Sequence, residues 1–302
     1  MKFYRANIIL THRCNLNCKH CYMNASFAYK EEFEKIFIRA KDVLKTLKDN
    51  GAREILLTGG ECTTFPYITE LVKYAKEIGI NKVDIFTNGM ILNKELFDIV
   101  DACHLSLDGL EESHNHIRGD NKSYKNLFST LDYLRAIDKM TYLQYTVNNK
   151  NIDDLCEVSK ILKDYLNVRK VKIVNQSNDG RALYSELKPV DLLDVHKIIP
   201  KLYENTNYHI QFLTDLWPMY DIKNYYLNSS VALPVWFDLI DDIYYIYDKD
   251  YYKNKIDNFD LTILGKQLDM ANTKICDYFS KNTNNTYLDV ESSLSKLLKK
   301  ED

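Results

Sequence analysis

The chain begins with a short apolar run. Ile8, Ile9 and Leu10 lead into Thr11, so residues 6 to 11 predict a buried strand. The period then changes. Phe33, Ile36, Phe37, Ala40, Val43, Leu44 and Leu47 recur at the three-four spacing of one helix face, which predicts a helix over residues 31 to 49, with Gly51 as its C-terminal stop. The same alternation predicts strand 54–58, helix 66–79, strand 83–87, helix 93–100, strand 102–107, helix 122–139, strand 141–147, helix 152–165 and strand 170–175. Strands alternating with helices need crossover connections, which are right-handed and build a parallel sheet with helices outside. The expected fold class is therefore α/β, a partial barrel of six βα units.

Past residue 185 the pattern weakens. Residues 190 to 205 predict a helix that Pro200 should kink or break. Val235 to Ile240 and Ile243 to Tyr247, flanking Asp241-Asp242, predict a hairpin, and helices are expected at about 261–271 and 287–299. The expected division is a barrel over 1–185 and a C-terminal α+β extension over 186–302.

Composition narrows the class. The chain has 302 residues, 45% hydrophobic and 27% charged, without an apolar run near the roughly 20 residues of a membrane helix. A net charge of −3 with scattered Lys and Arg gives no basic footprint for nucleic acid. Seven cysteines and no targeting segment point to a reducing compartment, so the expectation is a cytoplasmic protein with neither membrane nor nucleic acid as partner.

Three of those cysteines, Cys14, Cys18 and Cys21, come after the first strand at CxxxCxxC spacing. Structural zinc takes four ligands in paired motifs, and no second pair is present. A disulfide framework belongs to small, cysteine-dense secreted chains. Iron-sulfur clusters are held by thiolates, and a four-iron cubane takes four of them. Three would leave one iron open to a chelating small molecule.

The phrase Cys14-Asn15-Leu16-Asn17-Cys18-Lys19-His20-Cys21-Tyr22, with an aromatic residue before the last cysteine, resembles the radical S-adenosylmethionine superfamily. It is similar in particular to the peptide-modifying branch that often carries a SPASM or twitch extension. Gly59-Gly60-Glu61, Thr87-Asn88-Gly89, Ser106-Leu107-Asp108-Gly109, Arg118-Gly119 and, more weakly, Asp179-Gly180-Arg181-Ala182 come in the family's order. Each early motif falls after a predicted strand, on the rim where barrels collect their chemistry. The resemblance covers residues 5 to 150 well, fades toward 185 and is poor beyond.

That resemblance implies one [4Fe-4S] cluster on Cys14, Cys18 and Cys21, with S-adenosylmethionine chelated to its open iron and cleaved reductively to a 5'-deoxyadenosyl radical. It implies that Glu61 meets the cofactor's ammonium and that Ser106 and Arg118 meet its carboxylate. Asp108 is expected at the ribose, with His20, Tyr22, Gly59, Gly60, Asn88 and Asn148 as further cofactor contacts. The glycines are read as letting backbone approach a ligand. Alternation on the strands puts His104 and Ser106, then Gln144, Thr146 and Asn148, then Lys172 and Gln176 toward the lumen, where they either meet ligands or bond to one another. His104 is read as a core histidine. Cys62 is read as either a buried thiol or a hydrogen donor.

Residues 185 to 302 hold only Cys276, so no auxiliary cluster is expected, and Val235–Tyr245 resembles the branch's hairpin without its cysteines. Aromatic residues there, including Tyr225, Tyr226, Trp236, Tyr244, Tyr245 and Tyr247, suit a wall over the barrel as well as plain core. The expected function is hydrogen abstraction from a peptide, with a small molecule such as an amino acid, sugar or nucleoside as the alternative substrate. A non-enzymatic cluster protein is the reading from another class. A flavodoxin- or ferredoxin-type electron donor is implied. Because the motif begins at residue 14, a separate leader-peptide-binding protein is expected to present a peptide.

Overall fold

The computed structural model describes residues 5–214, 235–246 and 254–258. One sheet of ten strands runs through it. Its parallel centre is β1 (Arg5–Ile9), β2 (Glu54–Thr58), β3 (Lys82–Thr87), β4 (Ala102–Ser106), β5 (Thr141–Val147), β6 (Val168–Asn175) and β7 (Gln211–Thr214), paired in chain order. On the other side of β1 lies β8 (Val235–Asp238), parallel to it, followed antiparallel by β9 (Ile243–Ile246) and β10 (Asn254–Lys255). The sheet does not close, which gives the expected partial barrel.

Helices α1 (Phe33–Asp49), α2 (Ile68–Glu77), α3 (Lys94–Ile99), α4 (Glu111–Arg118), α5 (Ser123–Ala136), α6 (Leu155–Leu162) and α7 (Leu192–Asn205) connect the strands. On α1 the periodic face is the buried one, with Ile36, Ala40, Val43, Leu44 and Leu47 inside. Burying its four large side chains stabilises the packing by roughly 6–12 kcal/mol before conformational entropy is charged. The helix layer meets the sheet through Ala6, Ile8, Ile55, Leu57, Val83 and Ile85, all in one apolar core. The alternate residues on each strand therefore face the lumen.

One expectation changes. Pro200 neither ends nor divides α7, which continues to Asn205 with Val195, Ile199 and Leu202 buried on one side. That packing outweighs the backbone bond that proline removes. The described part of the C-terminal segment shares the barrel's sheet, since β7 extends β6 and β8 adds to β1. Tyr244 lies fully buried, stacked on Phe237, and so fills core. Tyr225, Tyr226, Tyr247, Cys276 and the two expected terminal helices lie outside the described residues.

Candidate active site

The loop after β1 folds back so that Cys14, Leu16, Cys18 and Ala25 form a small buried cluster, with Cys21, Met23 and Met90 packed against it. Each sulfur receives at least one N–H, and Cys14 Sγ also takes Asn88 Nδ2 at 4.0 Å. Leu16 N–H donates to Cys14 Sγ (3.4 Å), Ala25 N–H to Cys21 Sγ (3.4 Å) and Arg118 Nη1 to Cys18 Sγ (3.7 Å). Such donors suit sulfur carrying negative charge. Burial, with Cys18, Glu61 and Cys21 nearby, pushes the Cys14 thiol up to about 12, and burial raises Cys18 as well. A bound cation removes that penalty, because coordination deprotonates a thiol outright. The donor set therefore fits an iron-sulfur cluster.

The second loop locks the first. Gly60 N–H donates to Thr11 O (2.7 Å) and Glu61 N–H to Arg13 O (2.9 Å). A Cβ on Gly60 would lie 2.6 Å from Arg13 O and 2.8 Å from His12 O. The glycines thus answer to the cysteine loop: the backbone they approach is protein. Glu61, 1% exposed, accepts at Oε1 from Thr63 N–H (3.0 Å), Thr63 Oγ1 (2.7 Å) and Thr87 Oγ1 (2.6 Å), and at Oε2 from Asn88 N–H alone (2.6 Å). Burial raises its pKa against these four bonds. Oε2 keeps capacity for one more donor. Asn88 Nδ2 donates to Asn15 Oδ1 (2.8 Å), which ties the third loop to the cysteine loop.

Asp108 is the electrostatic hub. It is fully buried, and its Oδ2 meets Arg118 Nη2 at 2.5 Å and His20 Nε2 at 2.7 Å, while Oδ1 accepts from Thr146 N–H (2.8 Å). Burial would raise its pKa, but Arg118 and His20 hold it well below the carboxylate range. Burial pulls Arg118 down, but Asp108 together with Cys18 and Cys14 holds it above its ordinary value. Asp108 therefore acts on the site through Arg118 and His20. Arg118 Nε is buried without a hydrogen-bond partner. Ser106, on the lumen face beside Gln144, is 6% exposed. An orphaned guanidinium N–H at the mouth of the lumen is what a carboxylate-bearing ligand would satisfy.

The remaining expected residues take the following places. Asn148 is buried and caps its own turn, accepting from Lys150 N–H (2.9 Å). Tyr22 is 54% exposed. Gln176 donates to Leu187 O (3.0 Å), so it secures a loop. His104 faces the lumen near Asp84 (3.3 Å), and burial keeps it neutral by lowering its pKa. Cys62 lies in the apolar core, its Sγ donating to Phe86 O (3.2 Å), and burial pushes it well up, so it is the buried thiol.

Two contacts were not foreseen. Arg181 donates from Nη1 to Cys18 O (2.8 Å), from Nη2 to Ala25 O (2.6 Å) and from its backbone N–H to Cys21 O (2.9 Å). One residue after β6 thus satisfies three carbonyls of the cysteine loop. Its signal was the weak Asp179–Ala182 motif. From the hairpin, Asp238 Oδ2 pairs with His12 Nε2 at 3.0 Å, two residues before Cys14. Nothing local in sequence announces that pair.

Fold and loop together define a cluster-binding enzyme class on an open α/β barrel, with the chemistry on its C-terminal rim. Residues 8–162 match the radical SAM superfamily, and the chain belongs to it. That superfamily consists of enzymes built on a [4Fe-4S] cluster and S-adenosylmethionine. Among curated relatives, the sporulation killing factor maturation protein SkfB of Bacillus subtilis is 29% identical over 156 residues, 49% of this chain and 37% of its own length. PqqA peptide cyclase of Bradyrhizobium diazoefficiens is 26% identical over 180 residues, 58% of this chain and 47% of its own. GTP 3',8-cyclase of Chlorobaculum tepidum is 29% identical over 163 residues, 51% and 49% respectively. The chain thus spans less than half the length of these relatives. Streptococcus suis SuiB bound to S-adenosylmethionine superposes with a TM-score of 0.68 at 17% identity, covering 88% of this chain and 64% of that one, a likeness of fold. Among the described residues no helix is long and apolar enough to cross a membrane.

Proposed function

We propose that the chain abstracts hydrogen from a peptide, as the first step of a modification such as cross-linking or epimerisation. The observation that carries this is the three-sulfur loop, each sulfur met by an N–H, on the rim of a sheet that does not close among the described residues. Peptide maturation in SkfB and cyclisation in the PqqA enzyme support the substrate class. In this reading Cys14, Cys18 and Cys21 hold the cluster. Glu61 Oε2 and Asn88 receive the cofactor's ammonium, and Ser106 and Arg118 Nε its carboxylate. Gly59, Gly60, His20, Tyr22, Asp108 and Asn148 shape or support the pocket. When bound, the cluster and S-adenosylmethionine supply a carbon radical able to take hydrogen from an unactivated carbon.

The chain's own part is to bind, orient and exclude water, with residues 1–185 as the barrel and 186–302 as its extension. A flavodoxin- or ferredoxin-type donor, a separate leader-peptide-binding protein and a cytoplasmic setting belong to the same proposal. The test is anaerobic. Reconstituted protein, reductant and S-adenosylmethionine are incubated with short peptides encoded beside its gene, and 5'-deoxyadenosine and peptide mass are monitored. A peptide that raises deoxyadenosine output and loses hydrogen, or gains solvent deuterium, supports the reading. Stimulation by a nucleotide or amino acid instead would transfer it to the small-molecule class.

A further inference from the structure

Helix α4 ends against the cysteine loop. Gly119 closes the helix in the left-handed region (φ +71°), and a Cβ there would lie 3.0 Å from Asn17 O. Lys19 N–H donates to Ile117 O at 2.8 Å, so the loop hangs on the last turn of that helix. This brings Arg118, the final residue of α4, to Cys18. Its Nη1 donates to Cys18 Sγ at 3.7 Å and its Nη2 meets Asp108 Oδ2 at 2.5 Å, with all three side chains buried. One guanidinium thus holds a cluster ligand with one arm and a carboxylate with the other.

Few charges face the Cys18 sulfur. Arg118 favours negative charge there, while Cys21 and Asp108 oppose it. Arg181 adds a second guanidinium, spent on the backbone carbonyls of Cys18 and Ala25. Lys19, next in the chain, is partly exposed and tied to Glu186 at 2.7 Å. His20 Nε2 and His114 Nδ1 bond to Asp108, and Glu61 acts on Cys14. Arg118 is therefore the cation on the sulfur itself, with Asp108 directly behind it. Hydrogen bonds to the sulfurs and the net charge around them are the protein's levers on the potential of an iron-sulfur cluster. A cation on a ligand sulfur favours the extra negative charge that an electron brings. A carboxylate behind the cation opposes it, and burial leaves both effects weakly screened.

We infer that Arg118 and Asp108 act as an opposed pair on the cluster's reduction potential. Arg118 raises the potential through its bond to the Cys18 sulfur, and Asp108 lowers it by its charge while holding the guanidinium in place. The event they bias is the uptake of one electron from the flavodoxin- or ferredoxin-type donor, which is oxidised by that one electron. No proton is transferred in this step. The role is separate from the carboxylate contact assigned to Arg118 Nε, and Asp108 in it is a positioning residue. The inference rests on the cluster of the proposed function and holds for either substrate class.

The test is a redox titration of the anaerobically reconstituted full chain with dithionite and mediator dyes, read by electron paramagnetic resonance. S-adenosylmethionine is left out, so cofactor affinity does not enter. A load of about four irons per chain is confirmed first. Asp108→Asn keeps an acceptor for Arg118 and removes the charge, and its potential is expected to rise. Arg118→Gln removes the cation, and its potential is expected to fall. Each shift is expected to change the ratio of reduced to oxidised cluster at a fixed potential by about tenfold or more, which is about 59 mV for one electron. The double variant leaves neither charge buried alone and is expected between the two single ones. Should one single variant fail to load iron, the double variant compared with the other gives the same sign test. A merely structural role would admit water in both variants and move both potentials the same way. Shifts of one sign, or potentials equal to wild type, overturn the inference. A wild type that titrates while its variants do not split loses the opposed pair and keeps the cluster, whereas a wild type that takes up no iron loses both.

Discussion

His114 must stay neutral for the hub to hold. Its Nδ1 accepts the Asp108 N–H at 3.0 Å, so the proton sits on Nε2, and burial with Arg118 nearby lowers its pKa to about 3. An unfolded histidine titrates near 6.5, so as pH falls the unfolded chain takes up that proton first and the fold loses stability from about pH 6.5 down to about 3. The metal-free protein is expected to lose a few kcal/mol of unfolding free energy between pH 7 and 4, and His114→Asn, which keeps an acceptor without the titration, to flatten that slope in urea titrations. A parallel slope in both would place the acid sensitivity elsewhere. Asp108 acts in a lower window. Its depressed pKa gives stability that is complete above the unfolded value near 3.9 and is lost as pH falls below it. Among the cysteines, Cys18→Ala is expected to abolish cluster absorbance while Cys156→Ala keeps about four irons per chain by iron analysis.

At the scale of elements, the cysteine loop is pinned by the loops after β2 and β6. Arg181→Ala removes donors from the Cys18 and Ala25 carbonyls, a cost of about 1–3 kcal/mol, and iron content after gel filtration should fall while far-ultraviolet dichroism stays. Lysine cannot reproduce the fork, so Arg181→Lys should rescue only in part. Gly60→Ala should act from the other side by driving a Cβ against Arg13 O and His12 O, again with loss of iron; full retention of iron would show that the loop yields. The sheet was legible because its strands are short apolar runs between periodic helices, and the cysteine loop because its spacing has few other uses. Helix α4 was not: it is mostly polar, and only pairing with Asp108 lets Arg118 sit inside it. The reach of Arg181 and the place of β8 escaped for the same reason. They join residues more than 150 apart, which no local period encodes.

At the scale of the molecule, β1 is central because β8 covers it: Ala6, Asn7, Ile8 and Ile9 face Val235, Trp236, Phe237 and Asp238 in register. Deleting everything after Thr214 would bare that edge and leave His12 without Asp238, so the shortened chain is expected to aggregate and to retain less iron. Light scattering and iron analysis check this, and a monodisperse, fully loaded truncation would refute it. The pairing also has a consequence in time. The first strand leaves the ribosome long before its last neighbour exists, and at about 5–20 residues per second the intervening chain takes roughly ten to fifty seconds to make. Throughout that interval the edge beside the cysteine loop is an open template for other strands. Newborn chains are therefore expected to need chaperones, or low crowding of their own copies, until the hairpin arrives. Yield of active protein should thus track synthesis rate more steeply than the stability of the finished fold would suggest.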